Sequence, residues 1–298
     1  MRAILLLPIL IILMITMLNC GGSESSATNS SNDKADSMDT SADRFKDEPT
    51  DAAVSMSPGE FVRVEDTKAK RAGLTSVLLK DGTAMIFGGR TDGSGGFWLN
   101  YNFSTEIFNS GTGLWTLSGE MNTARAGAIG IVFENGSVLA AGGEGEQNKA
   151  IGSTELWDPE TGKWSEVGAL NEERDTTDGV LLNDGTVLVA GGRSEAYSLM
   201  NSVEVFDPAN NQWTTITPLA EARIGHTTTL LQDGRVLVTG GGKKDGPYLK
   251  SAEIYDPSTG EWSAGGEMNL SRRSHTASLL QDGRVPVSYT HLTLPTKA

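Results

Sequence analysis

The chain has 298 residues, a formal net charge of −14 and only 6% aromatic residues. The acidic balance argues against nucleic acid, which demands clustered Lys and Arg, and against docking on an anionic membrane surface. A single cysteine, Cys20, excludes a disulfide framework within the chain and a Cys-rich metal site.

Residues 1–20 read "MRAILLLPILIILMITMLNC". Arg2 supplies a positive start, and residues 3–18 are 16 positions without a charge. That suits the apolar core of a signal peptide and falls short of the ~20 residues of a spanning helix. The stretch ends at the lone thiol, followed by Gly21 and Gly22. It resembles a bacterial lipoprotein signal, although Asn19 departs from the usual small residue before the cysteine. The resemblance implies a lipidated Cys20 at the mature N-terminus and a membrane-anchored protein of the periplasm or cell surface. Residues 21–60 are rich in Ser, Asp, Thr and Asn and poor in large apolar side chains. They cannot bury enough surface to offset ordering entropy, so a disordered tether is expected. Its r.m.s. span is roughly 35 Å.

Residues 61–285 repeat. "RAGLTSVLLKDGTAMIFGG" begins at Arg71, and related phrases begin at Arg125, Arg174 and Arg223; a fifth, "RRSHTASLLQDGRV", begins at Arg272. Each full phrase closes on a glycine pair: Gly88–Gly89, Gly142–Gly143, Gly191–Gly192 and Gly240–Gly241. A second phrase follows, as in "SAEIYDPSTGEW", and its tryptophans, Trp115, Trp164, Trp213 and Trp262, stand 49 residues apart. Each unit divides into four short strands. Asp-Gly or Asn-Gly between the first two predicts a two-residue hairpin turn. The third strand alternates apolar and polar residues. Asp-Pro-x-Thr-Gly turns the chain into the fourth, which carries the tryptophan. Four antiparallel strands at a period near 50 predict an all-β fold of propeller blades.

The Gly-Gly after the second strand, the aromatic that follows Glu in the third and the Trp of the fourth resemble kelch repeats of a β-propeller, of the kind in the galactose oxidase central domain. The resemblance implies four complete blades and a partial fifth. Phe61 precedes Arg71 by ten residues, as each tryptophan precedes the next arginine. "FVRVEDTKAK" is therefore expected as a fourth strand without its own first three, and the resemblance to closed propellers implies that it completes the last blade, whose other strands come from the C-terminus. An incomplete ring would leave two apolar blade faces uncovered.

After Val285 the repeat stops. "VSYTHLTLPT" resembles a translated sequencing-library adapter, so residues 286–298 are expected to be a non-native, unpacked tail.

The loops between second and third strands vary most, and they share a face with the loops that carry the arginines. That face is the expected binding surface for a protein or carbohydrate ligand. Candidates on it are Arg71, Arg125, Arg174, Arg223 and Arg272, with Trp98 and Tyr101 from the long first loop. The arginines' recurrence in every blade favours a role in anchoring the blade-to-blade seams over ligand contact. Glu106, Glu155, Glu204 and Glu253 also recur once per unit and are expected as their structural partners. His226 and His275 alone make a poor metal site. No cofactor, metal or catalytic residue is expected. A carbohydrate-active enzyme such as a sialic-acid mutarotase, which resembles this architecture, is the alternative to a binding module.

Overall fold

The computed structural model describes residues 64–92, 98–243 and 246–288. The signal segment, the tether, Phe61 and residues 289–298 lie outside the described residues.

The chain forms β1 (Thr75–Leu78) and β2 (Ala84–Phe87), a separate ribbon of β3 (Arg90–Asp92) and β4 (Trp98–Tyr101), then β5 (Thr105–Asn109) and β6 (Leu114–Leu117). Blade 1 is the antiparallel sheet β1-β2-β5-β6. Blade 2 holds β7 (Ile129–Val132), β8 (Val138–Ala141), β9 (Thr154–Asp158) and β10 (Lys163–Val167). Blade 3 holds β11 (Asp178–Leu181), β12 (Val187–Ala190), β13 (Val203–Asp207) and β14 (Gln212–Ile216). Blade 4 holds β15 (Thr227–Leu230), β16 (Val236–Thr239), β17 (Ser251–Asp256) and β18 (Glu261–Glu267). First strands of successive blades lie side by side, so they form the inner edge of the stack.

The Asp-Gly turns are one residue longer than expected. Leu79 N–H donates to Thr83 O at 2.8 Å and Gly82 N–H to Leu79 O at 3.0 Å. Only Gly82 has a positive φ, of 85°. This is a type I turn closed by a left-handed glycine, the three-residue hairpin with a bulge. The Asp81 carboxylate accepts from Thr83 N–H at 2.9 Å and holds the ordinary negative-φ arrangement.

The core lies between blades. The second strands β2, β8 and β12 are buried along their whole length. Trp115, Trp164 and Trp213 are buried, and Trp164 and Trp213 each serve two blades. The Trp164 indole N–H donates to Thr105 Oγ1 of blade 1 at 2.9 Å, and its ring meets Phe87 edge-on at 5.2 Å. Trp213 donates to Thr154 Oγ1 of blade 2 at 3.1 Å. In blade 3 the matching residue is Val203, which has no hydroxyl; the Trp262 N–H goes instead to the Thr217 carbonyl at 2.9 Å, and Trp262 is only half-buried.

Val64 and the residues after it take the place of an outer strand before blade 1. Glu65 N–H reaches Gly113 O at 3.4 Å. The same bond runs from Gly119 to Gly162 at 2.9 Å and from Gly168 to Asn211 at 3.0 Å in later blades. Glu65 sits further off because a Cβ at Gly119 or Gly168 would come within 2.1 Å of the facing carbonyl oxygen. The leading face of blade 1 is accordingly not bare: Ile86, Phe108 and Trp115 are buried, with Val64 and Leu74 packed against them. Among the described residues no hydrogen bond joins blade 1 to the fifth unit.

The fifth unit also departs from expectation. β19 (Thr276–Ala277) pairs with β20 (Val287–Ser288), so the first residues of the tail are in a sheet. Thr276 opposes Ser288 as Thr227 opposes Thr239 in blade 4. Main-chain pairing is indifferent to most side chains, but proline interrupts it: Ser278 N–H donates to Pro286 O at 3.3 Å, and Pro286 has no N–H to return.

Trp213→Ala should cost about 3–5 kcal/mol, because it empties a seam on both sides. Trp262→Ala should cost clearly less. Urea titrations of the two variants measure the difference; equal losses would contradict the two-blade role of Trp213.

Candidate functional site

Four of the five recurrent arginines are not on a surface. Arg125, Arg174 and Arg223 are fully buried, and the Arg71 side chain is 1% exposed. Each guanidinium is spent within its own blade. Arg125 Nη1 donates to Gly142 O at 3.0 Å and to Ser153 O at 2.7 Å; its Nη2 donates to Ser153 Oγ at 3.0 Å and Glu155 Oε1 at 2.7 Å. Arg174 repeats this on Gly191, Ser202 and Glu204, and Arg223 on Gly240, Ser251 and Glu253. Arg71 does the same with Gly88, Ser104 and Glu106. Burial pulls the guanidiniums of Arg71, Arg125 and Arg174 below their ordinary range, and the facing glutamate opposes it.

The glutamates close the arrangement. Glu155 also accepts from Asn122 N–H at 2.6 Å and Thr123 N–H at 2.9 Å, the backbone leading into Arg125. Glu204 accepts from Asn171 N–H at 2.7 Å and Glu172 N–H at 3.1 Å. This removes Arg71, Arg125, Arg174 and Arg223 from the ligand face: they anchor blades, because a carboxylate two strands away meets each of them. Arg272 differs. It is partly exposed, its Nη1 donates to Val287 O at 3.0 Å, and no carboxylate faces it among the described residues.

The glycine pairs connect one blade to the next. The second glycine's N–H donates to the backbone carbonyl of the following blade's arginine: Gly89 to Arg125 at 2.8 Å, Gly143 to Arg174 at 3.0 Å, Gly192 to Arg223 at 2.9 Å and Gly241 to Arg272 at 2.8 Å. At Gly142 and Gly191 a Cβ would lie 2.7 Å from that same carbonyl oxygen, and both have φ near +60°. No other residue fits there.

What the loop face does present comes from the residue after each glycine pair, a signal available in the sequence but not used: Arg90, Glu144, Arg193 and Gly242. Glu144 joins three blades. It accepts from Tyr101 Oη at 2.5 Å, lies 3.2 Å from Arg90 Nη2 and 3.3 Å from Arg193 Nη2. Arg193 also grips Asp175 at 2.6 Å and lies over the Tyr197 ring, 4.8 Å from its centroid. Tyr101, placed as expected in the long first loop, also has its hydroxyl oxygen 3.0 Å from the Asn148 side-chain amide; burial and Glu144 raise its phenol above the ordinary range. The Tyr197 hydroxyl donates to Asn148 O at 3.2 Å. Trp98 opens β4 beside this cluster, with its side chain outside what is described. A hollow of about 500 Å³ opens nearby between Glu172, Glu195, Leu199 and Met200.

Blade 3 breaks the repeat on its inner strand. Asp178 accepts from Thr228 N–H of blade 4 at 2.7 Å and Gly179 N–H at 2.9 Å, yet burial pushes its carboxyl up to about 6. His226 lies buried in the seam of blades 3 and 4, and burial, then Arg223 and His275, press it down to about 3. His275 sits one seam on, with Nε2 at 3.1 Å from Thr227 Oγ1, and burial lowers it to about 4.

These features define a class: a repeat protein of four-stranded blades clasped through Gly-Gly and a buried Arg–Glu pair. Residues 64–287 match the KLHDC2/KLHL20/DRC7 Kelch-repeats domain, and the chain belongs to this family. Among solved structures it is similar to one titled "Structure of YjhT", with 17% identity and a TM-score of 0.63 over 74% of this chain and 84% of that one. That likeness shows the β-propeller fold. No curated protein matches the chain.

Asp178 gives a pH prediction. Its folded value lies above the ~3.9 of an unfolded aspartate. Its contribution is therefore present below that value and lost as pH rises through about 6. The loss is at most about 3 kcal/mol. Asp178→Asn should be more stable than the parent near neutral pH and no different near pH ~4, in urea titrations across that range. A variant less stable at neutral pH would show that the carboxylate form is the one the seam holds. His226 works in the opposite direction: its contribution is lost as pH falls from the ordinary histidine range towards about 3.

Proposed function

We propose that the chain is an extracytoplasmic binding module, tethered to a membrane through a lipidated Cys20, that holds a protein or carbohydrate ligand on its loop face. The family supports an interaction module. The observation that carries the site is the Arg90–Glu144–Arg193 chain, which crosses three blades at the position that follows each glycine pair. Polar groups of both signs, with Tyr101 and Tyr197 beside them, suit ligands that offer hydroxyls, amides or carboxylates to hydrogen bonds and a flat face to the rings. The alternative is a carbohydrate-active enzyme such as a sialic-acid mutarotase. The Tyr101–Glu144 contact favours that reading, since it sets a proton-holding hydroxyl and a carboxylate side by side, 2.5 Å apart, beside two guanidiniums.

Two measurements test this. Growth with labelled fatty acid should tag the parent chain and not Cys20→Ser; equal labelling would contradict the anchor. Ligands retained by the parent on glycan and peptide arrays should be lost by the Glu144→Gln, Arg193→Gln double variant at a temperature where its circular dichroism still matches the parent's. Loss of the same ligands on changing Asp158, on the opposite turn face, would place the site elsewhere.

A further inference from the structure

Blade 4 leaves empty a corner that blades 2 and 3 fill. In those blades the loop that leads to the arginine carries an asparagine, which packs between the third and fourth strands. Asn171 Nδ2 donates to Glu204 Oε2 at 2.8 Å and to Trp213 O at 3.2 Å, with Thr215 Oγ1 at 3.5 Å. Asn122 Nδ2 donates to Glu155 Oε2 at 2.9 Å. In blade 4 the place of Asn171 is taken by Ala220 and that of Thr215 by Ala264. Ala220 keeps only the backbone bond, its N–H donating to Glu253 Oε2 at 2.7 Å. The fourth strand departs here as well. Ala252 opposes Gly266 and Glu253 opposes Ala264, so Gly265 is an extra residue in β18, whereas β13 and β14 of blade 3 pair without a shift. Such a bulge re-aims the strand, and bulges recur beside functional sites. The result is a cavity of about 430 Å³ whose walls include Ala220, Glu253, Trp262 and Ala264, with Glu221 and Glu267 also lining it. It lies on the side of blade 4 that faces blade 3, where Trp262 is turned, and among the described residues none of the fifth unit lines it.

We infer that this cavity binds a small primary amine, whose ammonium group takes the place of the Asn171 amide and whose carbon body lies against Trp262. Blade 3 shows the donor that the corner accepts: a nitrogen between a glutamate oxygen and the tryptophan carbonyl. An ammonium offers three donors and no acceptor, and its bond to a carboxylate is charge-assisted. Charge selects it over a neutral amide, because three carboxylates, Glu221, Glu253 and Glu267, are met by two cations, Arg223 and Lys243. An indole wall also suits a cation. The site is separate from the loop-face cluster and stands independently of it: Glu144 belongs to blade 2 and takes no part.

Benzylamine is the probe and benzyl alcohol its neutral counterpart. The readout is the Trp262 indole N–H signal in nuclear magnetic resonance of the full chain, isotopically labelled at its tryptophan nitrogens and assigned through Trp262→Phe. Benzylamine should shift that signal saturably, and benzyl alcohol should bind at least tenfold more weakly. Ala220→Asn restores the side chain that fills the corner in blades 2 and 3; it should weaken benzylamine at least tenfold and leave the other indole signals in place. Ala209→Asn, on an exposed turn of blade 3, should leave binding unchanged. Absence of a saturable shift, equal affinity for the amine and the alcohol, or undiminished binding by Ala220→Asn would each overturn the proposal.

Discussion

The constraint on which the structure depends is the arginine that belongs to two blades at once. Its backbone carbonyl takes the N–H of the preceding blade's second glycine, and its guanidinium takes the carbonyl of its own blade's first glycine, as Arg174 does with Gly143 and Gly191. The order Gly-Gly, Arg, Gly-Gly, Arg thus runs through the stack as one hydrogen-bonded series. A buried guanidinium is tolerable only when paired and fully bonded. The glutamate of the third strand meets that condition, and by accepting from the backbone ahead of the arginine it also fixes the loop that delivers it. Stability in such arrays is carried by each unit and its contact with the next.

Because this clasp uses the arginine, the glycines, the serine and the glutamate, those positions cannot also vary to suit a ligand. Variation is left to the residue after Gly-Gly and to the loop beyond it. Arg90, Glu144, Arg193 and Gly242 sit there, and three of them make a charged chain across blades. A repeated scaffold and a non-repeated rim are thus two consequences of one geometry. The fourth position, Gly242, has no side chain, and Arg273 of the next unit lies over it, stacked on Tyr248.

Strand order, blade count and the placing of three tryptophans in the core were legible because the repeat is written with fixed spacing and unambiguous turn residues. The anchoring role of the arginines was legible from their recurrence in every blade, but its geometry was not. Their spacing from Gly-Gly shows which face the backbone occupies, but not that Glu155 or Glu204, 30 residues on, lies within 2.7 Å or 2.5 Å. The two-blade role of the tryptophans was hidden for a similar reason, since Thr105 and Trp164 are 59 residues apart. Trp262 illustrates the limit: it is less buried than the other three, and its indole N–H turns to Thr217 O because Val203 stands where Thr105 and Thr154 stand. The turn type was misread because Asp-Gly serves both the two-residue hairpin and the three-residue form with a bulge, and the aspartate's bond to Thr83 N–H selects the second.

Native-state hydrogen exchange at the glycine pairs tests the clasp most directly. The amide protons of Gly143 and Gly192 are the ones held by the arginine carbonyls of the next blade. If the clasp holds the stack together, both should exchange only through global unfolding, at rates that match the stability measured in denaturant. Exchange of either at the rate of turn amides such as Gly162 or Gly260, while the strands stay protected, would show that blades part without unfolding and would contradict the account.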